Sequence, residues 1–205
     1  TNKVSQAKRI IKDTQTNKIK VGYKFGLEFF YSEEGRKFIS SLKKQTIFLD
    51  LKLNDIPNTV GSAVKSLKNL NISYLTVHLS SGLSAIKVLK KESKNIKIVG
   101  VTTLTSLNNS DLKEIGYNKK VNELVKHQAK LAKRAKLDAI VCSGHEIKSV
   151  KGVFKKEIIT PGIKIQNIKN DQKRVMKPSD AFKAGSDWLV IGRSITKGNI
   201  KKNIQ

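Results

Sequence analysis

The sequence predicts an α/β fold, a (β/α)8 TIM barrel whose first strand is missing from this chain, formed as a single domain over residues 1–205. Three observations predict it. Seven short runs of β-branched and apolar residues recur along the chain, lysine-rich stretches with helical spacing separate them, and the chain opens on a helix-like segment. Alternation of strand and helix at intervals of about 20 to 30 residues implies a parallel sheet with right-handed crossovers. Seven strands are many for a small open sheet, and closure into a barrel removes its edges.

The elements follow in order. "NKVSQAKRIIKD" (2–13) reads as the opening helix, so the absent strand is expected upstream of Thr1. The strands are "IKVGYK" (19–24), "TIFLDL" (46–51), "SYLTVHL" (73–79), "KIVGVT" (97–102), "DAIVCS" (138–143), "EIITPG" (157–162) and "DWLVIG" (187–192), each short and apolar as a strand buried on both faces must be. Between them, Val60, Val64, Leu67 and Leu70 mark one amphipathic helix, and Val121, Leu124, Val125 and Leu131 another.

Composition narrows the function classes. At 38% hydrophobic residues the chain can build a core, and no apolar run approaches the roughly 18–20 residues that span a bilayer. A protein in solution is expected, without a secretory signal. The single cysteine, Cys142, excludes an internal disulfide and favours a reducing compartment, the cytoplasm. The three histidines are scattered and form no H-E-x-x-H spacing, so no metal site is expected. A net charge of +25 points to nucleic acid when taken alone. The charge is nearly all lysine spread over every segment, without interleaved stacking aromatics, and reads as a solvated surface; no nucleic-acid partner is expected.

In such barrels the reactive groups stand at the C-terminal ends of the strands. Here those ends carry Lys24, Asp50 with Lys52, His78, Thr105 with Ser106, and Gly192 with Arg193. Alternation along the second run puts Phe48, Asp50 and Lys52 on one face and Ile47, Leu49, Leu51 and Leu53 on the other. The aliphatic face meets the helices, leaving the acid and the lysine in the barrel mouth, where each favours the other's charged form. A salt bridge that merely closes the barrel is the plainer alternative; Lys24 and Asp55 nearby argue for a charged site. "VIGRS" supplies an anion site, with Gly192 leaving room for a ligand at the backbone and Arg193 a forked donor suited to phosphate. "TPGI" (160–163) forms the neighbouring wall. Cys142 with His145 reads as a buried thiol beside an unrelated histidine rather than a nucleophile and base, and His78 as a hydrogen-bonded packing residue rather than a base.

"DLKLNDIPNT" (50–59), "LTSL" (104–107), "ITPGI" (159–163), "DQKRVM" (171–176) and "VIGRSIT" (190–196), in that order, closely resemble bacterial orotidine 5'-monophosphate decarboxylases over nearly the whole chain. The resemblance implies decarboxylation of orotidine 5'-monophosphate to uridine 5'-monophosphate in pyrimidine synthesis, with no metal and no organic cofactor. It makes Lys24, Asp50, Lys52 and Asp55 a charged network with Lys52 as proton donor. It implies a dimer of barrels in which Asp55 and Thr59 reach into the partner's site. Thr105 would contact the base, Gln172 bridge phosphate and base, and Gly192 with Arg193 anchor the phosphate.

Two departures from the family pattern stand out. Lys164 follows "TPGI" where the family has arginine, keeping charge but losing bidentate geometry. The first strand, whose final aspartate holds the ribose in that family, is absent. The shorter D-x-K-x-x-D core also fits related sugar-phosphate decarboxylases and synthases that need a divalent metal, from which chelator sensitivity would separate this chain. A scaffold or nucleic-acid-binding protein on the same barrel is the alternative from another class, marked by salt-dependent duplex binding without turnover.

Overall fold

The computed structural model describes residues 3–165 and 176–204. Its sheet has seven strands in sequence order: β1 (Gly22–Gly26), β2 (Thr46–Leu53), β3 (Tyr74–His78), β4 (Lys97–Val101), β5 (Ala139–Val141), β6 (Glu157–Thr160) and β7 (Trp188–Leu189). Every neighbouring pair is parallel. The result is a curled half-barrel with helices on its outer face. Among the described residues β1 and β7 each pair on one side only, so the expected eight-stranded ring is seen here as seven strands.

The first expected strand slides along the chain. The run 19–24 predicts it, and it forms at Gly22–Gly26, with Ile19, 57% exposed, ahead of the sheet. The helix-like opening segment forms a helix at Val4–Asp13.

Two apolar clusters divide the strands by alternation. Ile47, Leu49, Leu75, Val77, Ile98, Ile140 and Ile158 face the helices and are fully buried. Phe48, Tyr74, Val99, Ala139 and Ile159 face inward and pack with Val141, Trp188 and Val190. The helix Pro57–Ser66 places Pro57 in its first turn, where a missing N–H goes unnoticed, and buries Val60 and Val64. The helix Val121–Arg134 buries Val121, Leu124, Val125, Ala129 and Ala132, while the expected Leu131 lies at the edge of that stripe.

The N-terminal edge of the sheet is sealed by a repeated device. The amide of Ile47 donates to Ser73 Oγ at 3.2 Å, that of Ile98 to Asp138 Oδ2 at 2.8 Å, and that of Ile158 to Asp187 Oδ2 at 2.8 Å. In each case a side chain just before one strand satisfies the backbone of the strand preceding it, which a buried sheet end requires. Inside the same end, the Tyr74 hydroxyl donates to Glu157 Oε2 at 2.7 Å, and Lys97 pairs with Glu157 while lying over the Tyr74 ring. This polar plug closes the floor and leaves the C-terminal end for a ligand.

Candidate active site

At the C-terminal ends of the strands lies a cavity of about 350 Å³. Phe48, Val101, Val141, Cys142 and Val190 give it an apolar floor. Lys24, Asp50 and Lys52 form one wall, Thr103 to Thr105 the next, Pro161 and Ile163 a third, and Gly192, Arg193 and Ser194 the last. Three cations against one carboxylate make these walls suited to an anionic ligand.

The charged wall is built by β1 and β2. Register places Lys24 beside Phe48 and Gly26 beside Asp50, so the lysine reaches forward to the acid. Lys24 Nζ lies 2.9 Å from Asp50 Oδ2, and Lys52 Nζ lies 2.9 Å from Asp50 Oδ1. Asp50 is nearly buried, and burial alone would raise its carboxyl pKa. The Lys24 ammonium, and then that of Lys52, outweigh this and hold it below the usual carboxylate value.

Flat alternation does not describe how Lys52 gets there. Leu49 pairs with Leu75 and Leu53 with Val77, so four steps along β2 oppose two along β3. The excess forms a bulge, and Lys52 sits in it with φ of +49°. Left-handed backbone disfavours a residue with a Cβ by about 1–2 kcal/mol, so neighbours must hold it. The Lys52 amide donates to Thr76 Oγ1 at 2.7 Å, and the Thr76 hydroxyl donates to Asp50 Oδ1 at 3.2 Å.

The remaining walls are braced from behind. Gln128, on the helix Val121–Arg134, accepts through Oε1 from the amide of Thr103 at 2.8 Å and from its hydroxyl at 3.2 Å. That fixes the loop carrying Leu104 and Thr105 into the cavity. Gly162, at φ of +77°, turns the chain after β6 in a conformation suited to glycine. Its carbonyl accepts from the Met176 amide, and the Lys164 amide donates to the Met176 carbonyl, both at 3.1 Å. At Gly192 a Cβ would meet no other atom within 4 Å, so the strand end opens directly into space.

Most of the expected residues converge. Lys24, Asp50, Lys52, Thr105, Gly192 and Arg193 all line the cavity. Asp55 does not join the charged network of its own chain: it is exposed, and Oδ1 accepts from the Ile56 amide at 2.7 Å. The expected four-residue network is thus corrected to Lys24, Asp50 and Lys52 within one chain. Thr59 is likewise exposed, on the helix that follows. Lys164 is not among the described residues lining the cavity; Ile163 takes that place. Gln172 lies outside the described residues.

Cys142 is buried, which pushes its thiol pKa far up, and His145 is exposed. His78 is half-buried, and burial, helped by the Lys52 ammonium, lowers its pKa against a weaker pull from Asp50. Sequence reasoning missed Thr76 and Gln128. Each carried a faint signal: Thr76 is the polar residue within the apolar run "YLTV", and Gln128 falls on the stripe of Val121, Leu124 and Val125.

The chain matches a family model described as "Orotidine 5'-phosphate decarboxylase / HUMPS family" over residues 3–203. The orotidine 5'-phosphate decarboxylase of Ehrlichia canis (strain Jake) is 45% identical over 181 residues, covering 84% of this chain and 78% of that protein. That of Bacillus mycoides (strain KBAB4) is 44% identical over 188 residues, 85% of this chain and 79% of that one. The crystal structure of orotidine 5'-phosphate decarboxylase from Lactobacillus acidophilus superposes with a TM-score of 0.86 at 31% identity, covering all of this chain and 92% of that one.

Proposed function

The chain belongs to the orotidine 5'-phosphate decarboxylase / HUMPS family, and on that premise we propose that it converts orotidine 5'-monophosphate to uridine 5'-monophosphate, with Lys52 as the group that meets the reacting carbon. The observation that carries this reading is the Lys24–Asp50–Lys52 chain of ion pairs set into the cavity wall. A cavity of about 350 Å³ falls within the usual range for small-ligand sites.

The chemistry needs such a chain. The bond from the pyrimidine ring carbon to its carboxylate breaks, carbon dioxide leaves, and the electron pair stays on a ring carbon with little resonance help. A fixed ammonium stabilises that charge as it develops and then gives the carbon a proton, which Lys52 recovers from solvent. Asp50 holds both lysines in place and stands as a like charge toward the substrate carboxylate. Arg193, with the open backbone at Gly192, takes the phosphate, whose binding energy far from the reacting atom lowers the barrier. In this reading Thr105 contacts the base, and Lys164 and Gln172 serve the phosphate.

The same reading extends to the assembly. A second copy of the chain is the proposed partner, into whose site Asp55 and Thr59 reach; both are exposed next to Ile56, an apolar residue 66% exposed. An eighth strand lying between β7 and β1 completes the ring. The proposed setting is the cytoplasm, with no nucleic-acid partner and no cofactor, and among the described residues no helix is long and apolar enough to cross a membrane.

Turnover is measured by the fall in orotate absorbance when orotidine 5'-monophosphate is added to the purified chain. Steady conversion to uridine 5'-monophosphate, reduced by about 10³-fold or more in Lys52→Ala while nucleotide binding persists, is the expected result. Near-normal turnover in that variant would remove Lys52 from the role.

A further inference from the structure

We propose that Thr76 is a positioning residue for this reaction: its buried hydroxyl holds the Lys52 backbone in its left-handed turn and the Asp50 carboxylate in register, and so sets where the Lys52 ammonium stands. The inference rests on the reading of Lys52 as the group facing the reacting carbon.

A closed ring of interactions carries it. The Lys52 amide donates to Thr76 Oγ1 at 2.7 Å, the Thr76 hydroxyl donates to Asp50 Oδ1 at 3.2 Å, and the same oxygen pairs with Lys52 Nζ at 2.9 Å. Lys52 is thus tied at both ends, by its backbone through Thr76 and by its side chain through Asp50. Thr76 is 0% exposed, so no water competes for its hydroxyl. It comes from β3, a regular strand paired to β4 in unbroken register, whereas the segment it holds is the bulge of β2. The rigid strand therefore serves as the fixed reference against which the irregular one is set.

The chemistry of the hydroxyl matters as much as its place. One oxygen must accept from an N–H and donate to a carboxylate at once, which valine, of the same shape, cannot do. Serine keeps both functions. Without the hydroxyl, the Lys52 amide and Asp50 Oδ1 each lose a partner, and a left-handed lysine is free to relax toward ordinary strand geometry. Misplacement of a reacting group by about 1 Å can reduce turnover about 10²-fold.

The test compares Thr76→Val, Thr76→Ser and Lys52→Ala in the same assay, with folding checked by circular dichroism and urea titration. Thr76→Val is expected to lower kcat by about 10- to 100-fold with KM changed by less than about threefold, and Thr76→Ser to restore kcat to within about threefold of the parent. A valine variant with near-parent kcat, or valine and serine variants equally impaired, would overturn the proposal, since a packing role makes no distinction by hydroxyl. Should Thr76→Val not fold, Thr76→Ala against Thr76→Ser decides on the same terms. Loss of turnover in Lys52→Ala with an unaffected Thr76→Val defeats the Thr76 assignment alone. Retained turnover in Lys52→Ala defeats the reading beneath it.

Discussion

Lys52 Nζ and Asp50 Oδ1 lie 2.9 Å apart within a bulge of β2, where Lys52 itself takes left-handed backbone. The pair does not stand alone, for Lys24 approaches the other oxygen of the same carboxylate at the same distance. One acid therefore orders two cations, and each of the three groups is useful only while the others are charged.

Removing the acid tests that dependence. In Asp50→Asn two ammonium groups face a neutral amide, so their mutual repulsion is no longer offset. Unfolding free energy is expected to fall by about 1–3 kcal/mol, tempered because both lysines are about a third exposed, and kcat by about 10²-fold or more. Urea titration and the absorbance assay read the two effects separately, and an unchanged kcat would show that the acid serves stability only.

Arg193 lines another wall of the same cavity. Arg193→Ala is expected to raise KM about 10- to 100-fold through lost charge-assisted hydrogen bonds to phosphate, with kcat at saturation changed much less. Initial rates over a range of substrate concentrations check this. An unaltered KM would place the phosphate elsewhere.

Acid should destabilise the protein in two stages. His78 has its pKa lowered by burial and by the Lys52 ammonium from an ordinary value of 6.5. The unfolded chain therefore binds that proton first, and stability present above pH 6.5 is lost as pH falls toward the folded value. Asp50, held below 3.8 by its lysines, adds a second loss, confined to pH below that ordinary value. Urea midpoints measured from pH 8 to pH 3 should fall in that order. In His78→Gln the first stage should disappear, and its persistence would assign that proton to another group.

Much of this protein was legible in the sequence. Burial on both faces forces short β-branched strands, and helical spacing between them forces parallel connections, so the α/β class and the order of strands followed from period alone. The rule that barrel chemistry sits at C-terminal strand ends then picked out Lys24, Asp50, Lys52, Thr105 and Arg193, all found around one cavity.

What period cannot see is the place where it breaks. Only the tertiary structure determined that β2 bulges between Leu49 and Leu53, that Asp55 is exposed and bonded to the Ile56 amide, and that Thr76 and Gln128 brace the walls from neighbouring elements. The reason is physical. A repeating pattern records which face of a strand is buried, a property of each residue and its near neighbours. A bulge, and the hydroxyl that holds it, arise from the meeting of two segments 24 residues apart, whose distance no local pattern contains.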